Sequence, residues 1–166
     1  MRALLLLSFT VAAGAVAVAT IGVQAQTTTP TDPGQAAFQA ECGACHMPFQ
    51  PQFLPARSWE LVMANLSKHF KENASLDKPT TELIKNYLVA HSAEATGYRR
   101  ALQGLNAADT PQRITESAWW VSEHRRVTDA QIAQSNIKSR ANCVACHPNA
   151  RRAAYEPAIV PRPVAP

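Results

Sequence analysis

All four cysteines of this 166-residue chain fall in two copies of one five-residue pattern, Cys42-Gly43-Ala44-Cys45-His46 and Cys143-Val144-Ala145-Cys146-His147. C-x-x-C-H is the spacing of covalent haem attachment: each thiol forms a thioether with a vinyl group, and the adjacent imidazole is placed to bind the iron. Cys42, Cys45, Cys143 and Cys146 are therefore the expected attachment residues for two haem c groups, with His46 and His147 as iron ligands. No other feature constrains the fold as much, because each macrocycle brings a large apolar surface around which a short chain can pack.

Other uses of four thiols account for less of the pattern. An all-cysteine zinc site made of two C-x-x-C knuckles leaves both following histidines unexplained. A thioredoxin-like redox pair belongs beside a βαβ pattern that the sequence does not show. Two structural disulfides have only the redox compartment in their favour.

That compartment is readable at the start of the chain. Met1-Arg2 supplies one positive charge, an uncharged apolar run follows from Ala3 to about Val23, and Val23-Gln24-Ala25 has the small-x-small form of a cleavage site. The expectation is a secretory signal peptide over residues 1–25, cut after about Ala25, and export to a bacterial periplasm with no stable membrane insertion afterwards. An uncleaved anchor is the competing reading, since the run is nearly long enough to span a bilayer. Its Ala and Gly content and the cleavage site argue against it.

Removing residues 1–25 leaves 141, enough for one ordinary domain or two very small ones. The formal charge of +4 falls to +3 without Arg2. Each haem then adds two propionates against one positive charge on the ferric core. The holo-protein is near neutral, and nucleic acid is not an expected partner.

Periodicity and punctuation divide the rest. Residues 26–32 read as a flexible linker. Asp32 as N-cap and Pro33 at the first position open a helix through Phe38 into the first motif, and Met47-Pro48 stops it. After a proline-broken loop, Ser58 is expected to cap a second helix running to about Asn73, with Trp59, Val62, Leu66, His69 and Phe70 as its apolar stripe. Asp77-Lys78-Pro79 opens a third, with Leu83, Ile84, Tyr87, Leu88 and His91 on one side. Residues 97–113 are polar, with Gly104 and Pro111, and read as a boundary.

Beyond that boundary, Ile114, Trp119, Trp120, Val121 and His124 suggest a short helix. Thr128 with Gln131 fits a capping box opening a last helix that carries Ile132 into the second motif. From Tyr155 the chain holds four prolines in twelve residues and is expected to be irregular. No stretch alternates with period two, so the expected class is all-α. The expected domains are an N-terminal haem domain over residues 33–97, a C-terminal haem domain over 98–158 and a Pro-rich tail over 159–166.

The group on the other face of each iron decides the chemistry. His69, His91 and His124 are the remaining histidines, with Met47 and Met63 as thioether competitors. On helical spacing His69 and His124 lie on apolar faces and point inward. His91 shares a face with Ile84 and Leu88 but sits near a helix end. Met47 follows His46 directly and cannot reach across the ring, and Met63 points about 100° away from Val62, toward a less apolar side.

Gly34, Phe38, Cys42, Cys45 and His46 form G-x-x-x-F-x-x-x-C-x-x-C-H, which resembles the first helix of class I cytochromes c. That family usually takes a distal methionine from a later loop, and no methionine follows Met63 here. A wider resemblance, over about residues 36–158, is to the bacterial dihaem cytochrome c family. It is carried by Met47-Pro48, Leu54-Pro55-Ala56-Arg57-Ser58-Trp59, Met63, Leu66, His69-Phe70, Glu72-Asn73-Ala74-Ser75-Leu76, Ile84, Tyr87-Leu88, Ile114-Thr115-Glu116, His124-Arg125 and Asn142 to His147. The resemblance implies a class I-like N-terminal domain, a smaller irregular helical C-terminal haem domain, and bis-histidine iron in both, with His69 and His124 as distal ligands.

Residues 46 and 69 are 23 apart, as are 124 and 147. Short loops favour pairing within each half, His46 with His69 and His124 with His147; crossed pairing would interleave the halves. Two imidazoles leave no open position on iron, and a His in place of a Met ligand lowers the potential. The expected function is a low-potential periplasmic electron carrier rather than an enzyme. It would take electrons from a membrane quinol or cytochrome b source and pass them to a soluble redox partner. The resemblance suggests a small monohaem cytochrome that binds oxygen as one acceptor; the sequence assigns no oligomeric state. The alternative is a small dihaem peroxidase-like enzyme or a redox sensor with one open or displaceable axial site. Arg125 and Arg126 could pair with propionates or dock a partner, although a solvated charge pair is the simpler reading.

Overall fold

The computed structural model describes residues 32–134 and 136–160. The expected signal peptide, the linker up to residue 31 and the tail from residue 161 lie outside the described residues. The described chain is helical, as expected, and holds no strand beyond an isolated bridge between His69 and Glu72.

Helix α1 (Pro33–Glu41) begins as its sequence dictates. The Asp32 carboxylate accepts from the Gly34 and Gln35 amides at 2.7 and 3.4 Å, and Pro33 occupies a position whose amide would go unused. Gly34 is there for close approach. A Cβ at that position would lie 2.7 Å from Tyr87 Cβ and 2.9 Å from the Leu83 carbonyl, both on α3 (Lys78–Ala90). The third helix is capped by Asp77, whose carboxylate accepts from the Thr80 amide at 3.0 Å, and it buries Ile84 and Leu88. Leu83, expected on the same side, is 40% exposed because α1 covers only part of that face.

Helix α2 (Ala56–Ala64) starts and ends earlier than expected. Pro55 is its N-cap, and the Ala56 amide is satisfied by Glu94 Oε2 at 3.0 Å from 38 residues away. Ser58 is not a cap: it lies inside the helix, wholly buried. Asn65 ends α2, its amide nitrogen donating to the Leu61 carbonyl at 2.8 Å, and a 3₁₀ turn (Leu66–Lys68) leads to His69. Phe70 and Lys71 then take left-handed φ of 50° and 88°, so no helix can continue to Asn73. Phe38, Leu54, Trp59, Val62, Met63, Ile84 and Leu88 form the core of these three helices. Trp59 is fixed in it by donating its indole N–H to the Pro51 carbonyl at 2.7 Å.

A second core joins Phe53, Ala93, Ala101, Trp119 and Trp120, with Tyr98, Leu102 and Tyr155 packed against it. Residues 97–113 carry a 3₁₀ turn (Arg99–Leu102), and Arg57 on α2 donates to the Asp109 and Asn106 carbonyls at 2.6 and 3.0 Å. Ile114 packs against both cores. Helix α4 (Ala118–Glu123) buries Trp119 and Trp120 and leaves Val121 52% exposed.

Helix α5 (Asp129–Ile132) has the expected capping box of Thr128 and Gln131, yet it lasts only four residues. Lys138 adopts a left-handed φ of 61°, and Asn142 Nδ2 donates to the Ile137 carbonyl at 3.0 Å over a buried Ile137 side chain. The second motif therefore stands on its own 3₁₀ turn (Cys143–Ala145) and does not end a helix as the sequence suggested. Met63 also departs from expectation: it is 5% exposed, inside the first core.

Candidate haem-binding sites

Both motifs bend into 3₁₀ turns that put their histidines beside a second imidazole. At the first, α1 passes directly into the turn Cys42–Ala44, the Cys42 amide donating to the Phe38 carbonyl. His46 follows, and its Nδ1–H donates to the Met47 carbonyl at 2.7 Å. That bond fixes the tautomer and leaves Nε2 as a lone-pair donor. Phe49 stacks on the His46 ring at 5.0 Å.

His69 faces it from the end of the Leu66–Lys68 turn, with ring centres 6.2 Å apart and planes inclined by 16°. Phe70 packs edge-on against His69 at 4.8 Å, and the Arg113 guanidinium covers the Phe70 ring at 4.1 Å. His69 is inward-facing because of this tight loop, not because of helical spacing.

At the second site His147 Nδ1–H donates to the Tyr155 carbonyl at 2.5 Å. His124, at the end of α4, donates its Nδ1–H to the Trp120 carbonyl at 2.9 Å and stacks on the Trp120 indole at 4.0 Å with planes within 11°. The His124 and His147 ring centres are 6.1 Å apart, with planes 82° apart.

An iron between two imidazoles needs about 2 Å per metal–nitrogen bond and about 1.1 Å from each nitrogen to its ring centre, so about 6 Å between centres. Both separations meet that span. Electrostatics suits it too. Burial, then the neighbouring His46 and Arg113 charges, holds His69 below the usual histidine range. Burial also lowers His124, against the opposing pull of the Trp120 carbonyl. Both rings are thereby kept neutral, the form that binds metal.

None of the four cysteines is joined in a disulfide. Burial, then the Glu41 carboxylate, pushes the Cys42 thiol up to about 11. Among the described residues no three Cys, His, Asp or Glu side chains converge as a metal cluster, so the four-thiol zinc arrangement does not form. His91 stays apart from both pairs: exposed at the end of α3, it donates to the Tyr87 carbonyl at 2.8 Å and packs on the Tyr87 ring. Met47 is 5% exposed and adjoins His46. Arg125, just past α4, is exposed and donates back to the Ser122 carbonyl of that helix. Sequence reasoning missed the carbonyls of Met47, Trp120 and Tyr155, since any residue can supply a backbone acceptor.

Thioether attachment with an imidazole from the same turn separates c-type cytochromes from other haem proteins, and this chain has the residues for it twice. The signature of the family described as dihaem cytochrome c matches residues 38–155. The chain is similar to a solved diheme cytochrome c from Rhodobacter sphaeroides at 42% identity and a TM-score of 0.68, over 72% of this chain and 95% of that one. A second similar structure is the diheme cytochrome c sb-DHC from Shewanella baltica OS155, with 33% identity and a TM-score of 0.64, over 77% and 92% of the two chains. No curated protein matches. The chain belongs to the dihaem cytochrome c family: it carries two covalently attached haem c groups and serves electron transfer.

Proposed function

We propose that this cytochrome is a low-potential electron carrier in which His46 and His69 hold one iron and His124 and His147 the other. The observation that carries the reading is the pair of imidazole separations, 6.2 and 6.1 Å, each the span of one metal atom. The haems supply a one-electron change at iron. The chain sets its character: imidazole on both faces in place of thioether lowers the potential, and closure of the sixth position disfavours inner-sphere oxygen or peroxide chemistry. Carbonyl acceptors on three of these imidazoles hold the ring orientation through the redox change.

Export to the periplasm rests on the apolar run and cleavage site within residues 1–25. No helix among the described residues is long and apolar enough to cross a membrane. The proposed route runs from a membrane quinol or cytochrome b donor to a small soluble acceptor, a monohaem cytochrome that binds oxygen being the kind suggested by family resemblance. A peroxidase-like enzyme or a sensor would need one imidazole pair to part.

Electron paramagnetic resonance of the oxidised holo-protein tests this. Two low-spin bis-imidazole signals are expected; a high-spin signal in the untreated protein would refute the closed-site reading. His69→Ala and His124→Ala should each abolish one low-spin signal, and retention of both in either variant would refute that distal assignment.

A further inference from the structure

We propose that Gln50 and Tyr155 are a positioning pair through which the loop of the first haem motif tunes the ligand of the second, His147. The inference rests on the reading of His147 as an axial ligand. An Nδ1–H bond to a carbonyl makes an imidazole a more basic ligand, which favours the oxidised metal, so where that carbonyl sits matters to the redox equilibrium. For His46 the acceptor is the next residue, Met47. For His147 it is Tyr155, eight residues on, in irregular chain beyond the short 3₁₀ turn Ala150–Arg152.

What holds Tyr155 comes from the other half of the molecule. Its hydroxyl donates to Gln50 Oε1, 105 residues away, and Gln50 Nε2 donates to the Ala150 carbonyl at 3.1 Å. Gln50 thus grips both ends of the loop that follows His147, while standing only four residues after His46. The Tyr155 ring lies 5.4 Å from His147 and 5.4 Å from Phe53, another residue of the first half. Burial holds its phenol well above the usual tyrosine range, so the hydroxyl remains a donor. The backbone is fastened separately, by Ala154 N–H to the Asn149 carbonyl at 3.3 Å and Ile159 N–H to the Cys146 carbonyl at 2.7 Å. Removing the side-chain clasp therefore loosens the Tyr155 carbonyl without releasing the segment.

The test measures both haem midpoint potentials by spectroelectrochemistry in holo-protein carrying Gln50→Ala, Tyr155→Phe or Gln50→Glu. The two centres are told apart by resonance line shape, because near-parallel planes at His46 and His69 (16°) and near-perpendicular planes at His124 and His147 (82°) split the iron orbitals differently. Outer-shell partners typically matter by tenfold or more, so Gln50→Ala and Tyr155→Phe should raise the second midpoint by about tenfold in the reduction equilibrium, about 59 mV, and leave the first in place. Gln50→Glu keeps an acceptor for the hydroxyl but loses the donor to Ala150, and should give a smaller rise. Tyr155→Phe keeps the ring packing, so it reports on the clasp even where Gln50→Ala disturbs folding. Equal shifts at both haems, or none at the second, would overturn the proposal with the ligand reading intact. Absence of the second low-spin signal from the unaltered protein would overturn the ligand reading, and the positioning role with it.

Discussion

Replacing Gly34 with alanine measures how much the first haem site depends on two helices touching. A Cβ there would stand 2.7 Å from Tyr87 Cβ and 2.9 Å from the Leu83 carbonyl. Neither obstacle is the loose end of a side chain: one is a backbone oxygen and the other is fixed to the backbone of α3. Relief requires α1 and α3 to separate, at the cost of about 1–3 kcal/mol typical of an overpacked contact. Alanine returns at most about 1 kcal/mol of helix propensity. The net loss should be about 1–2 kcal/mol, a fall in Tm of about 3–10 °C for a chain of this size.

Reversible thermal unfolding of the holo-protein, followed by far-ultraviolet circular dichroism, gives the value. Gly43→Ala is the matched control, because its nearest contact would be Pro48 Cδ at an ordinary 3.8 Å; its effect should stay within about 0.5 kcal/mol. A Gly34→Ala protein that melts with or above the parent would refute the close-approach argument.

Glu94→Ala removes the remote cap of α2 and the ion pair with Arg57 at 2.9 Å, and should cost about 0.5–2 kcal/mol in a urea titration. His91→Ala should leave the visible and resonance spectra of both haems unchanged, since His91 is exposed and remote from both imidazole pairs. Folding keeps His69 and His124 neutral, whereas in the unfolded chain they titrate near the ordinary 6.5, so the unfolded state binds more protons below that value. Their contribution is full above about pH 6.5 and is lost as pH falls. Urea midpoints should hold above pH 7 and decline through pH 6 to 5; a rise over that range would contradict the sign.

Elements with local punctuation were legible in the sequence. Asp32 with Pro33, Asp77 with Pro79 and Thr128 with Gln131 each open the expected helix. The failures share a cause. The start of α2 is set by Glu94, 38 residues away, a partner no local window contains, and so Ser58 looked like the cap. Its end, and that of α5, depend on left-handed backbone at Phe70, Lys71 and Lys138, residues that carry none of glycine's warning.

The candidate attachment cysteines stand out in the sequence by spacing alone. His69 could be placed near the first motif only through family resemblance and loop closure, because the helical periodicity that seemed to aim it inward belongs to a helix that stops at Ala64. The groups that receive the Nδ1 protons of His46, His124 and His147 are backbone carbonyls, invisible in any list of side chains.

The partial burial of Cys42 bears on the order in which haem attachment and folding would best proceed. Its thiol packs against the cluster around Phe38 and is held protonated to about 11, the state in which sulfur is a poor nucleophile. A chain that closed its first three helices early would leave that half-buried sulfur less accessible to a vinyl group. Maturation therefore favours a chain still open at α1, with the thioether made first and the helices closing over it. Anything that speeds the closure of α1 on α3 before haem arrives should lower the yield of mature protein even when it stabilises the finished one.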